Sequence, residues 1–324
     1  MCRADGTETP SLRVGRVLAQ QEEKMRPHLM GRDEDAIQCL TVHPTYYHFS
    51  MCNAMAVQGV RSHALTLHYR VKEQSDLVLE HLFTEENRSM WGNPKLIFVP
   101  CAQVMAQGTW ELLRRLMEQG ATVALSGAPE RDEYFRRAER VGQLIPGAKA
   151  QPVYGVERIV IDGKLFDLDF RRAVAYADAG HGIERIAYDA DEENAVRVVN
   201  VGKGKLVHCT LPLELAESAD AVEAFYRLAL READVENAAF VCETGKPNVM
   251  IYPMVYADSV VYTLVNEGAK DAVAFTDKAS GLKIETVLPA QRGCKLCLGK
   301  NGEVYGYYAP CDVKIGETWV PANA

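Results

Sequence analysis

Residues 93–127 read NPKLIFVPCAQVMAQGTWELLRRLMEQGATVALSG, and this stretch contains a complete strand–helix–strand unit. Lys95–Val99 is a short apolar run closed by Pro100, as in a parallel strand buried on both faces and cut off by proline. Thr109 to Gln119 places Trp110, Leu112, Leu113, Leu116 and Met117 close to the i, i+3, i+4, i+7 spacing of a one-faced helix. Gly120 supplies the left-handed residue that ends such a helix. Thr122–Leu125 is the second strand, running into the turn Ser126-Gly127-Ala128-Pro129. A crossover of this kind joins parallel strands and is right-handed almost without exception.

The same alternation extends upstream. Ala36–Val42 reads as a strand closed by His43-Pro44. Thr45 caps an expected helix from Tyr46 to about Gly59. Ala64–Tyr69 is strand-like, and Glu73–Phe83 has helical leucine spacing. A β-α-β-α-β-α-β order over residues 36–125 predicts a doubly wound α/β layer. Before it, Thr9-Pro10-Ser11 opens a helix running to about Met30, which Pro27 should bend or shorten.

After Pro129 the pattern changes. Glu130–Leu144 is expected as a charged helix. Val156–Ile161 and Lys164–Phe170 flank Asp162-Gly163, a type I′ hairpin signal. Val196–Val201 and Lys205–Leu211 flank Gly202-Lys203-Gly204 as a second hairpin, and Asp220–Glu232 is an amphipathic helix. From about Pro247 short strands follow at the spacing of a β-sandwich, with Asn301-Gly302 the strongest turn. The division expected is 1–34 as a linker helix, 35–240 as the α/β domain and 241–324 as the sandwich.

A chain of 324 residues is long enough for two domains. Its net charge of −8 and its lack of a basic run argue against nucleic acid. No apolar run approaches the length that spans a bilayer, and MCRADGTETP has no apolar core of a signal peptide. Nine cysteines, an odd number scattered through predicted elements, fit reduced thiols in a cytoplasmic protein.

Three residues are weak candidates for catalysis. Cys101 follows a strand end, where α/β folds gather ligands, and His43 follows another. The usual fate of such a cysteine is a small buried core residue. Ser126 also ends a strand, without the preceding glycine that a nucleophile elbow requires. Cys294-x-x-Cys297, with Cys311 nearby, lacks the second ligand pair of a zinc ribbon and reads as core. Asn266-Glu267 is a turn without the second carboxyl that glycoside hydrolysis needs. Val201-Gly-Lys-Gly-Lys205 lies between strands and is no phosphate loop. No cofactor or metal site is expected.

The order of pieces is the most specific feature. An α/β layer with PKLIFVP and ELLRRLMEQGATVALSG is followed by GKGKLVHCTLPLELAES, AFYRLALREADV and a terminal sandwich with VVYTLVNEG. From about Leu12 to Tyr308 this resembles the C-terminal half of family 42-type β-galactosidases. The resemblance implies a class I glutamine amidotransferase-like, flavodoxin-like doubly wound sheet used in trimerisation, then a small all-β sandwich. The family's catalytic barrel has no counterpart here, so no catalytic residue carries over. The amidotransferase elbow Gly-x-Cys-x-Gly is replaced by Leu125-Ser126-Gly127. A non-catalytic accessory and oligomerisation region of a glycoside hydrolase is therefore expected, with a homo-oligomer, a trimer by resemblance, or a barrel domain as partner. The alternatives are an amidotransferase-like hydrolase using Cys101, or a carbohydrate-binding or structural protein. The last predicts a row of exposed aromatics on one sandwich face, from Tyr305, Tyr307 and Trp319.

Overall fold

The computed structural model describes residues 7–43, 52–176, 182–188, 195–216, 218–244 and 246–323. Helix α1 spans Pro10–Met25, β1 Cys39–His43, α2 Cys52–Leu65, β2 Asp76–Leu79, α3 Arg88–Trp91, β3 Leu96–Ala102, α4 Gln107–Gln119 and β4 Thr122–Gly127. Then come β5 Lys149–Pro152, β6 Val156–Ile161, β7 Lys164–Asp169, α5 Arg171–Tyr176, β8 Glu184–Ala187, β9 Val196–Val201, β10 Gly204–Cys209 and α6 Ala219–Glu232. The remaining strands are β11 Phe240–Cys242, β12 Val249–Val255, β13 Ser259–Asn266, β14 Asp271–Asp277, β15 Lys283–Leu288, β16 Gly293–Gly299, β17 Val304–Tyr308, β18 Val313–Ile315 and β19 Thr318–Val320.

Two compact units result. The α/β unit is Ile37–Leu67 with Gln74–Glu236, and the β unit takes the residues up to Ala36, His68–Glu73 and those from Asn237 onward. The segment expected as a linker helix thus belongs to the same unit as the C-terminal strands.

In the α/β unit a six-stranded sheet has the order β2-β1-β3-β4-β10-β9. All its pairings are parallel except β9 with β10. Every residue of β3 and β4 is buried, as the apolar runs require of central parallel strands. Helix α4 buries Trp110, Leu112, Leu113, Leu116 and Met117 on this sheet, and Gly120 ends it at φ +129°. The turn Gly202-Lys203-Gly204 explains its own glycines. A Cβ on Gly202 would lie 2.6 Å from the Glu118 Cα, and one on Gly204 2.0 Å from the Ala121 carbonyl oxygen. The hairpin is pressed against the end of α4, with Lys203 N–H donating to the Glu118 carbonyl.

Four expectations are corrected. Pro100 does not end its strand: the β3–β4 register shifts between Val99 and Ala102, and pairing resumes at Ala102 with Gly127. Proline lacks the ladder N–H, so the strand bulges there. Residues 64–69 are helical, since α2 continues as a π-helix over Thr66–Val71. Asp76–Leu79 is a strand rather than part of a helix, because parallel pairing to β1 outweighs the local leucine spacing. Glu130–Leu144 forms an irregular loop with one 3₁₀ turn at Val141–Gln143. There the Glu130 carboxylate accepts from the N–H groups of Arg140 and Val141, both at 2.8 Å. The buried Arg140 guanidinium donates to the carbonyls of Pro129 and Arg131, each at 3.0 Å. Side chains that bond backbone in this way compete with a helix. Thr45 lies outside the described residues.

The β unit stacks a five-stranded sheet, β11-β14-β15-β18-β19, on a four-stranded sheet, β12-β13-β16-β17. Phe240, Tyr262, Phe275, Ile284 and Leu296 fill the space between them. Thr9 caps α1 and Pro10 stands in its first turn, and the helix ends at Met25, just before Pro27. Met25 packs on Val261 and Cys297, on the outer face of the four-stranded sheet. Gly306 permits the approach, since a Cβ there would meet Met25 Cγ at 2.7 Å. Residues 68–73 are pinned to the unit by Lys72, whose ammonium donates to the carbonyls of Tyr69, Lys246 and Val249.

Candidate functional site

The carboxyl end of β3 meets those of its neighbours at Cys101. This residue sits at φ +43°, a left-handed conformation that costs a non-glycine residue roughly 1 kcal/mol. Two acceptors hold it there: its N–H donates to Ser126 Oγ at 2.7 Å and to Glu214 Oε2 at 3.1 Å. Ser126 in turn donates to Glu214 Oε2, and the Tyr226 hydroxyl donates to Oε1 at 2.8 Å.

The chain of bonds continues through a histidine. His63 Nδ1 lies 2.7 Å from the Tyr226 oxygen, and Nε2 lies 2.7 Å from Thr41 Oγ1. Because the Tyr226 proton is directed at Glu214, Nδ1 carries the hydrogen and Nε2 accepts from Thr41. Thr41 and Ser75 share a further bond of 2.8 Å. Cys101, Ser126, Glu214, Tyr226, His63 and Thr41 are each no more than 3% exposed.

Electrostatics follow from that burial. Loss of water raises the Glu214 pKa, against the downward pull of its Ser126 and Tyr226 hydrogen bonds. Burial, with the neighbouring Glu214 charge, holds the Cys101 thiol well above its ordinary value. A thiol held protonated in this way is a poor nucleophile and a poor metal ligand. Its sulfur packs on Gly59 of α2, where a Cβ would come within 2.0 Å of Sγ.

The structure brings Cys101 and Ser126 together, as strand-end neighbours, and leaves His43 out of their hydrogen bonds. His43 pairs across the strands with Leu79. The histidine in the network is His63, which the sequence reading missed because its helix was assigned partly as strand. Glu214 was missed too. Its only signal is a lone carboxylate in the apolar run LPLELA.

A cleft of about 440 Å³ opens beside α4, lined among others by Glu80, Phe83, Glu86, Leu112, Arg115 and Glu133. Neither Cys101 nor Ser126 lines it. The α4 N-terminus is occupied by the protein's own carboxylates: Glu80 accepts from Ala106 N–H at 2.8 Å and Glu133 from Gln107 N–H at 3.0 Å. That helix end is therefore not open to an anionic ligand.

The remaining candidates are structural. Cys294 faces the sandwich core and Cys297 the α1 side, so the pair cannot converge on one ion. No group of metal-binding side chains occurs among the described residues. Asn266 is a buried turn organiser, accepting from Gly268 N–H at 2.9 Å and donating to the carbonyls of Ala269, Leu288 and Pro289. The expected aromatic row does not form. Tyr305 stacks on His28 at 3.4 Å and Tyr307 is half-buried, both on β17, whereas Trp319 is exposed on the other sheet.

His208 of β10 is a buried, acid-sensitive group. Its Nε2–H donates to the Gly127 carbonyl at 2.8 Å, and Nδ1 accepts from the Tyr188 hydroxyl at 2.6 Å. Burial lowers its pKa to about 4. Unfolding restores an ordinary value near 6.5, so the unfolded chain binds the extra proton between pH 6.5 and 4. Stability from this group is complete above about pH 6.5, and about 3 kcal/mol is lost as pH falls through that window. In urea titrations His208→Gln should lose correspondingly less than the parent between pH 7 and pH 4; parallel pH profiles would refute this.

No protein-family model matches the chain, and no curated protein sequence matches it. Solved structures do. A catalytic mutant of Gan42B, a family 42 β-galactosidase from G. stearothermophilus, aligns with TM-score 0.61 and 12% identity over 92% of this chain and 45% of its own. The β-galactosidase of Bacillus circulans sp. alkalophilus gives 0.62 and 15% over 90% and 46%. That of Halorubrum lacusprofundi gives 0.57 and 12% over 91% and 44%. The chain thus spans under half the length of each, and at these identities the likeness is one of fold alone, a mixed α/β chain with several sheets.

Proposed function

We propose that this chain serves as an accessory and assembly region of a glycoside hydrolase of the β-galactosidase type and performs no hydrolysis itself. Its α/β unit is an amidotransferase-like scaffold that has become packing. The observation that carries this is the closed chain Thr41–His63–Tyr226–Glu214–Ser126–Cys101, which fills the strand-end crevice where such a scaffold would hold a nucleophile. Burial beside the Glu214 carboxyl holds the Cys101 thiol protonated, which disfavours its use as a nucleophile. The fold likeness to β-galactosidases supports the glycoside hydrolase context, and scaffolds of one fold take on unrelated tasks. Self-association, as a trimer, and a cytoplasmic location that keeps the core thiols reduced complete the reading.

Three measurements on the chain test it. Chromogenic galactosides should not be turned over. Iodoacetamide should leave Cys101 unlabelled until the chain is unfolded. Light scattering should give three times the chain mass. Galactoside hydrolysis, or rapid native labelling of Cys101, would overturn the non-catalytic role, and a monomer mass would overturn the assembly role.

A further inference from the structure

The cleft beside α4 has a chemistry that the filled strand-end crevice lacks. Its volume of about 440 Å³ lies within the ~300–1,000 Å³ range of small-molecule sites. Phe83 and Leu112, both buried, supply an apolar wall. Five glutamates line it, Glu80, Glu85, Glu86, Glu111 and Glu133, against one arginine, Arg115. A recess walled by one sign of charge beside low-dielectric packing concentrates ions of the opposite sign.

The carboxylates keep acceptor capacity. Glu133 gives Oε2 to the Gln107 N–H and Glu111 gives Oε1 to Gln107 Nε2, which leaves each a second oxygen. The positive end of the α4 dipole would repel a cation, but Glu80 and Glu133 cap its first N–H groups and offset it. No three of these acids converge on a point, since no group able to hold a metal ion occurs among the described residues. Their charges are spread around an apolar wall instead. A matching ligand carries separated positive charges joined by apolar links.

We propose that this cleft binds a linear aliphatic polyamine. Its ammonium groups donate to Glu86, Glu111 and Glu133, and the methylenes between them lie on Phe83 and Leu112. Arg115 opposes the cation and limits how many ammonium groups enter. An anion would meet five carboxylates, and a single divalent cation would find no converging set of ligands. The site does not depend on the accessory role proposed above, so galactoside hydrolysis by the chain would leave it standing.

Calorimetric titration of the full chain with spermidine at low ionic strength tests it. Binding should saturate at one site and weaken as salt is added, because the ion pairs are open to solvent. The double variant Glu86→Gln with Glu111→Gln leaves the α4 caps intact. It should bind about fivefold more weakly, as the loss of two exposed ion pairs implies. Arg115→Gln should bind more tightly. Removing two glutamates of the β unit, Glu303→Gln with Glu317→Gln, should change nothing, which separates the cleft from the chain's general charge of −8. Equal weakening by the two double variants, or no saturable heat with spermidine, would overturn the site. So would tighter binding of magnesium or of a trilysine peptide than of spermidine.

Discussion

Glu214→Ala is expected to destabilise the α/β unit by about 3–5 kcal/mol, because it strands the buried Ser126 and Tyr226 hydroxyls and removes one of the two acceptors of the Cys101 N–H. The N–H of Cys101 and the hydroxyls of Ser126 and Tyr226 all end on this carboxyl, in a place that water does not reach. Glu214→Gln keeps the shape and one acceptor oxygen, and should lose only about 1–2 kcal/mol. Urea unfolding followed by far-ultraviolet circular dichroism measures both. An alanine variant within 1 kcal/mol of the parent would mean that solvent enters the crevice. The pH dependence runs opposite to that of His208. Burial raises the folded-state pKa of Glu214, so its contribution is complete below the ordinary carboxylate value and declines as pH rises through the folded one. Glu214→Gln should lack that decline.

The second large effect lies on the other side of Cys101. Gly59→Ala places a methyl 2.0 Å from Cys101 Sγ and 3.0 Å from its Cβ, where neither α2 nor the bulged end of β3 can give way cheaply. The overpacking should cost about 3 kcal/mol, although alanine is otherwise the better helix former. Cys101→Gly removes both clashing atoms and suits the positive φ at that position. The double variant should therefore recover about 2 kcal/mol relative to the sum of the single changes. Additive free energies would show that Gly59 and Cys101 do not share this space.

Much of the fold was legible in residue order because the strong elements carry unambiguous periods. The buried run Lys95–Val99, the one-faced helix ending at Gly120, the hairpin at Asp162-Gly163 and the strands from Val249 onward lie close to where their patterns place them. The misreadings fall where local pattern is weak and long-range contacts decide. Asp76–Leu79 has helical leucines, yet β1 offers it a parallel partner. Residues 130–144 have helical charges, yet Glu130 and Arg140 spend their side chains on backbone groups.

The candidate site divides in the same way. Residue order alone determined that Cys101 and Ser126 end adjacent strands, that no elbow glycine precedes Ser126, and that the cysteine pair in β16 points to opposite faces. These follow from covalent spacing and strand alternation. Only the tertiary structure decided that the crevice is filled. His63, Tyr226 and Glu214 come from α2, α6 and the turn between β10 and α6, and nothing in their spacing announces that they meet. Whether a strand-end cysteine is a nucleophile or packing depends on what desolvates it and what sits above it. Here burial and a neighbouring carboxyl keep the thiol protonated, and Gly59 lets the helix close over it.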